Sequence, residues 1–325
     1  MLQFLGMLGA IALTAICWGV YGPVLHFGRE AMASPLRPFV CVGMAYFLIA
    51  VLIPFALLLR KGERGQWSGI GVFWSLLAGA SGALGALGVI LALHYGGKPI
   101  FVMPLVFGGA PVVNTLLTAV INKSFNQLKA PFLAGLILVI AGAVTVLVFK
   151  PQQPAHTVIS VPIIEVLLSV ALSVACWGAY GPVLHRGQLA MDGSRLRPLI
   201  CIGGAYFLIA VLVPLALLVP LGDSGSWDIA GCLWSLAAGS LGAVGALGAI
   251  LAFACGGKPF TVMPVVFGCA PVINTLTTLA FAHTPRNDVS PWFLAGMLVV
   301  GLGAATVLIF GPRGHAPVKQ RMESA

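Results

Sequence analysis

The sequence predicts an all-α integral membrane protein of ten transmembrane helices, built as two inverted five-helix repeats. Three observations lead there. Of 325 residues, 59% are hydrophobic and 8% charged, against about 25% charged in soluble domains. So much apolar surface needs lipid to cover it. The length accommodates about ten spans of about 20 residues with short connections. Finally, the chain repeats itself. CWGVYGPVLH at Cys17–His26 returns as CWGAYGPVLH at Cys176–His185, and AYFLIAVLIP at Ala45–Pro54 as AYFLIAVLVP at Ala205–Pro214. GALGALGVILA at Gly82–Ala92 returns as GAVGALGAILA at Gly242–Ala252. The offset drifts from 159 through 160 to 161 residues, so single-residue insertions separate the halves.

The first half divides as follows. Helix 1 is expected from about Phe4 to His26; the recurrence of its second half marks it as structural, since a signal peptide would carry a basic start and a cleavage site. Helix 2 follows from about Pro38 to Leu59, then a charged loop with Arg60, Lys61, Glu63 and Arg64. Helix 3 is expected from Gly69 to His94. Helix 4 falls in GGKPIFVMPLVFGGAPVVNTLLT, Gly96–Thr118, and ends near Ile121; its copy is GGKPFTVMPVVFGCAPVINTLTT, Gly256–Thr278. Helix 5 runs from about Pro131 to Phe149. The domains are therefore a first repeat over 1–150, a linker over 151–160, a second repeat over 161–311 and a tail over 312–325.

Five is odd, so halves joined without an extra span insert with opposite orientations about an axis in the membrane plane. Loop charge sets the direction. On the side shared by both termini fall 12 of the 17 Lys and Arg, which places the termini in the cytoplasm of a multi-pass cell-membrane protein. The net charge of +9 reads as loop anchoring; no basic cluster carries interleaved aromatics, so no nucleic-acid partner is expected. Seven cysteines lie in apolar segments without CxxC spacing, and read as small packing residues with no metal or cofactor site. No nucleophile–base set or phosphate loop appears, so an enzyme is not expected.

Pro111, Asn114, Thr115 and Thr118 share one face of helix 4, as Pro271, Asn274, Thr275 and Thr278 do in the copy. Pro104 and Pro111 remove backbone donors mid-span, a pattern of interrupted helices at transporter sites. The stripe reads either as the lining of a central cavity, with the asparagines binding substrate, or as polar contact between packed helices. Lys98 and Lys258, at the starts of these helices, read as cavity mouths or as cations snorkelling to headgroups. Trp18, Tyr21, Gly22 and Leu25, with His26 beside them, face one way on helix 1; Trp177, Tyr180, Gly181, Leu184 and His185 repeat this. They read as cavity walls and gates, or as an interfacial aromatic belt. Glycines at 79, 82, 85 and 88, and at 239, 242, 245 and 248, point to close helix packing or to backbone exposed along a narrow pathway. Glu165, an acid inside an apolar span, is a proton-coupling candidate or an interfacial residue.

Taken together, two five-helix halves and the GGKP-start fourth helices with a mid-span proline resemble the ten-helix EamA-type members of the drug/metabolite transporter superfamily. The CWG motif of helices 1 and 6 is similar to the sugar- and ureide-uptake branches. The resemblance implies a central cavity lined by the first, third and fourth helices of each half. The expectation is a carrier of a small polar metabolite, monomeric or homodimeric; a lipid or amphiphile translocase and a non-transporting scaffold are the alternatives.

Overall fold

The computed structural model describes residues 2–121, 123, 129–149, 162–281 and 290–310. The linker over 151–160 and the tail over 312–325 lie outside the described residues. The described segments are helical. In order they are α1 (Leu2–Met32), α2 (Leu36–Tyr46), α3 (Ile53–Lys61), α4 (Gly69–His94), α5 (Pro99–Ile121) and α6 (Ala130–Val148). Then come α7 (Ile163–Ala190), α8 (Leu196–Tyr206), α9 (Val213–Leu218), α10 (Ile229–Ala254), α11 (Pro259–Phe281) and α12 (Pro291–Phe310). Among the described residues, seven helical stretches are long and apolar enough to cross a membrane; α6, α11 and α12 carry shorter apolar runs, Ala130–Val139, Val262–Thr278 and Pro291–Gly303.

Local sequence explains the boundaries. Helix α1 extends beyond the expected His26 to Met32, and the chain leaves it at Ala33, whose φ is 49°, just before Pro35. Ser68 and Asp228 start α4 and α10 by accepting hydrogen bonds from the N–H of Gly71 (3.0 Å) and Gly231 (2.7 Å), which satisfies otherwise orphaned donors. Between α2 and α3 the helix widens into a π turn over Phe47–Leu52, and Phe207–Leu212 does the same between α8 and α9. Each π turn precedes a proline, Pro54 or Pro214, at the start of the next helix. A proline clashes with the carbonyl four residues back, and a widened turn moves that carbonyl aside. The expected interruption of helix 4 does not occur. Helices α5 and α11 run unbroken through Pro104 and Pro111, and through Pro264 and Pro271. Each proline removes one hydrogen bond, a loss that packing against α7, α1 and one another absorbs.

The halves interlock rather than sit side by side. The most extensive contacts join α1 to α10, α4 to α7 and α6 to α12. The glycine series makes these close. A methyl added to Gly79 would lie 2.7 Å from Ile202 Cα, and one on Gly239 2.7 Å from Val42 Cα. On Gly88 it would lie 2.4 Å from Ser173 Oγ, and on Gly248 2.4 Å from Thr14 Oγ1. The start of α2 pairs with the loop after α9, and the start of α8 with the loop after α3. The helical pieces α2–α3 and α8–α9 are therefore antiparallel.

Candidate functional site

At the junction of the halves lies a chamber of about 30 Å³, lined by Trp18, Tyr21, Tyr46 and Gly82 and by Trp177, Tyr180, Tyr206 and Gly242. A water needs roughly 10–15 Å³ on this measure, so there is room for about two. The rings hold one another in matched pairs. Trp18 meets Tyr180 edge-on at 5.8 Å and Tyr21 meets Trp177 at 6.0 Å. Trp18 stacks on Phe267 at 6.1 Å and Trp177 on Phe107 at 5.8 Å. Tyr46 and Tyr206 stack face to face, 3.6 Å apart and 3° from parallel.

Glycine backbone anchors the tryptophans. Trp18 Nε1 donates to the Gly242 carbonyl at 3.3 Å, and Trp177 Nε1 to the Gly82 carbonyl at 3.1 Å. One turn away Thr14 and Ser173 donate to the carbonyls of Gly245 and Gly85, at 3.2 and 2.9 Å. The glycine series thus serves close packing, and the carbonyls of Gly82 and Gly242 are taken up by the two indoles. No lining residue carries a formal charge. The hydroxyls of Tyr21 and Tyr180 are buried without a hydrogen-bond partner among the described residues, a condition that costs about 1–3 kcal/mol per group unless water or a ligand supplies the partner.

Of the sequence-predicted residues, Trp18, Tyr21, Trp177 and Tyr180 come together here. The Asn–Thr stripe lies elsewhere, between α5 and α11. Asn114 Nδ2 donates to the Pro259 carbonyl at 3.3 Å, and Asn274 Nδ2 to the Pro99 carbonyl at 3.2 Å. Each asparagine thus holds the start of the opposite helix, while its Oδ1 is buried without a hydrogen-bond partner among the described residues. Thr115 donates to the Pro111 carbonyl at 2.8 Å and Thr118 to that of Asn114 at 2.6 Å. Thr278 donates to the Asn274 carbonyl at 2.8 Å, while Thr275 turns to Met297 Sδ at 3.0 Å.

Lys98 and Lys258 are exposed at their helix starts, outside the chamber lining. His26 Nε2 meets Glu30 at 3.3 Å, and His185 packs edge-on against Phe253 at 5.1 Å. Glu165 is exposed in the first turn of α7, where a carboxylate suits the helix dipole.

Sequence reasoning missed Tyr46, Tyr206, Phe107 and Phe267. A signal existed for the tyrosines: four of the five in the chain line the chamber, and two sit in the repeated AYFLIAV block, where nothing but a hydroxyl breaks the apolar run. A second hollow, of about 300 Å³, lies between α11 and α12, lined by Phe267, Gly268, Pro271, Met297, Gly301 and other apolar residues. Phe267 borders this groove on one side and stacks on Trp18 on the other.

No family model and no curated protein matches this chain. Among solved structures, one described as "Crystal structure of protein" aligns over 97% of this chain and 99% of its own, with a TM-score of 0.60 and 16% identity. That likeness is one of fold. Together, the fold and the chamber define a multi-pass helical membrane protein with a small aromatic pocket between its halves.

Proposed function

We propose that the chain is a secondary carrier of ten spans, two inverted five-helix halves resembling the EamA-type drug/metabolite transporters, which moves a small metabolite by alternating access. The observation that carries this reading is the aromatic chamber where the halves meet, with two buried hydroxyls that find no partner among the described residues. A scaffold has no use for buried hydroxyls without partners, whereas a binding site supplies them from the substrate. The absence of lining charge favours a substrate without net negative charge, because an unpaired buried anion is costly. The antiparallel pairing of the helices favours inverted halves, and the loop charge favours cytoplasmic termini. On this reading the asparagines act by holding α5 to α11.

The test is a metabolite-panel thermal-shift screen on purified protein, then flux into liposomes. The double change Tyr21→Phe, Tyr180→Phe keeps both rings and removes both hydroxyls. For a ligand found in the screen, affinity should fall at least about tenfold, the worth of one buried hydrogen bond. Unchanged affinity in a folded variant sinks the binding role of the chamber.

The groove between α11 and α12 favours a second reading, an amphiphile carrier loaded sideways from the bilayer, with Phe267 as the partition. Phe267→Ala would then raise uptake of membrane-partitioned substrates more than that of soluble ones.

A further inference from the structure

Each end of the molecule carries a carboxylate that reaches from one half into the other. In the loop after α3, Glu63 accepts from Ser194 Oγ at 2.6 Å and from the backbone N–H of Arg195 and Leu196 at 2.7 and 3.1 Å. Arg197 Nη1 lies 3.6 Å away and its guanidinium sits over Trp67 at 5.9 Å. In the loop after α9, Asp223 accepts from Ser34 Oγ at 2.6 Å and pairs with Arg37, whose guanidinium sits over Trp227 at 5.6 Å. Acid, serine, arginine and tryptophan thus recur at a common offset of 160 residues. Glu63 and Asp223 are also the one acidic pair the halves share in register. These charges are well covered: side-chain exposures are 16% and 11% for Glu63 and Arg197, and 5% and 12% for Asp223 and Arg37.

The two clusters sit at opposite ends. Arg37 is at the start, and Glu63 just past the end, of the continuous stretch Leu36–Arg60, 25 residues long. At about 1.5 Å per residue that separates them by about 37 Å. Between them lies the chamber, too small for more than about two waters.

We propose that Glu63 with Arg197, and Asp223 with Arg37, are the two gate latches of the carrier, and that the structure with both engaged is its occluded state. Opening one end breaks one latch while the other holds. The inference rests on the carrier reading, and it places the gates in these loops rather than at the lysines and histidines. The carboxylates suit the role. Glu63 satisfies the N–H groups at the start of α8, while Asp223 holds Ser34, whose Oγ accepts from the N–H groups at the start of α2, and charge-assisted bonds of this kind are strong yet reversible.

The test places a single cysteine in the chamber, Tyr46→Cys, in a background without the native cysteines, and measures its reaction with a membrane-impermeant maleimide from each side of oriented vesicles. With both latches intact, labelling should be slow from both sides. Asp223→Asn should speed it about tenfold from one side, and Glu63→Gln about tenfold from the other, the population shift expected for losing one charged hydrogen bond. Glu63→Asp keeps the carboxylate and should behave as the parent. If either amide variant fails to fold, Ser34→Ala and Ser194→Ala should give smaller shifts with the same sidedness. Faster labelling from the same side in both variants, or no change in either, overturns the latches. Flux by the unmodified protein is measured separately: flux with unsided labelling overturns the latches alone, and no flux across the panel counts against the carrier reading.

Discussion

Replacing Gly85 by alanine tests how tightly the chamber walls are built. The added methyl would lie 2.1 Å from Trp177 Cδ1 and 2.3 Å from its Nε1. Trp177 cannot retreat freely, because it is bonded to the Gly82 carbonyl, stacked on Phe107 and edge-on to Tyr21. Overpacking costs about 1–3 kcal/mol and an abandoned buried hydrogen bond about 1–3 more, so Gly85→Ala should destabilise by about 2–6 kcal/mol. The comparison is Gly204, in α8, where an added methyl meets nothing within 4 Å. There the same change should stabilise by about 0.5–1 kcal/mol through helix propensity alone. The assay is loss of helical circular dichroism in detergent against denaturant. Opposite signs are expected. In a Trp177→Leu background most of the Gly85→Ala penalty should vanish, since the two share one contact. If Gly85→Ala stabilises as Gly204→Ala does, the tight wall described here is wrong.

Asn274→Ala removes the donor to the Pro99 carbonyl, and should lower unfolding stability by about 1–2 kcal/mol while leaving chamber affinity unchanged. An affinity loss in the double Asn114→Ala, Asn274→Ala variant would instead restore these residues to the binding site. Glu165→Gln should shift stability by less than about 1 kcal/mol, the value of an exposed charge at a helix start, and leave the pH profile of flux unaltered. A displaced profile would make Glu165 a proton site. Asp228→Ala removes the bond to the Gly231 N–H, and should cost about 1 kcal/mol as a lost helix cap; an unchanged midpoint would contradict that cap.

The helical character, the membrane setting and most helix limits were legible in the sequence, because they follow from hydropathy and from breakers that act locally. Gly69–His94 coincides with the expected helix 3. The site was less legible. Trp18 and Tyr21 stood out as bulky groups in a repeated motif, but which rings they meet depends on helices brought together from the other half. Tyr46 sat unnoticed in an apolar block because its hydroxyl means little until a chamber surrounds it. Asn114 looked the more promising for the opposite reason. Polarity in a span signals a hydrogen bond, and periodicity does not say whether the partner is a ligand or a backbone carbonyl. The latches were hidden by charge counting. Glu63 sat in a loop rich in cations, and Asp223 in one without them, so their equivalence shows only when the two loops are compared acid by acid.

The interlocking of the halves bears on how the protein is made. The principal neighbour of α1 is α10, which begins at Ile229, so most of the chain must be synthesised before α1 finds its partner. Until then its close-contact face is in lipid or against the insertion machinery, and α4 awaits α7 in the same way. Neither half has the neighbours to mature alone, and long-range contacts of this kind make assembly late and slow. The same topology lets the halves be made apart. Each carries the surfaces the other lacks, so two separately synthesised pieces, cut in the linker over 151–160, should find each other in the bilayer as subunits of a dimer do.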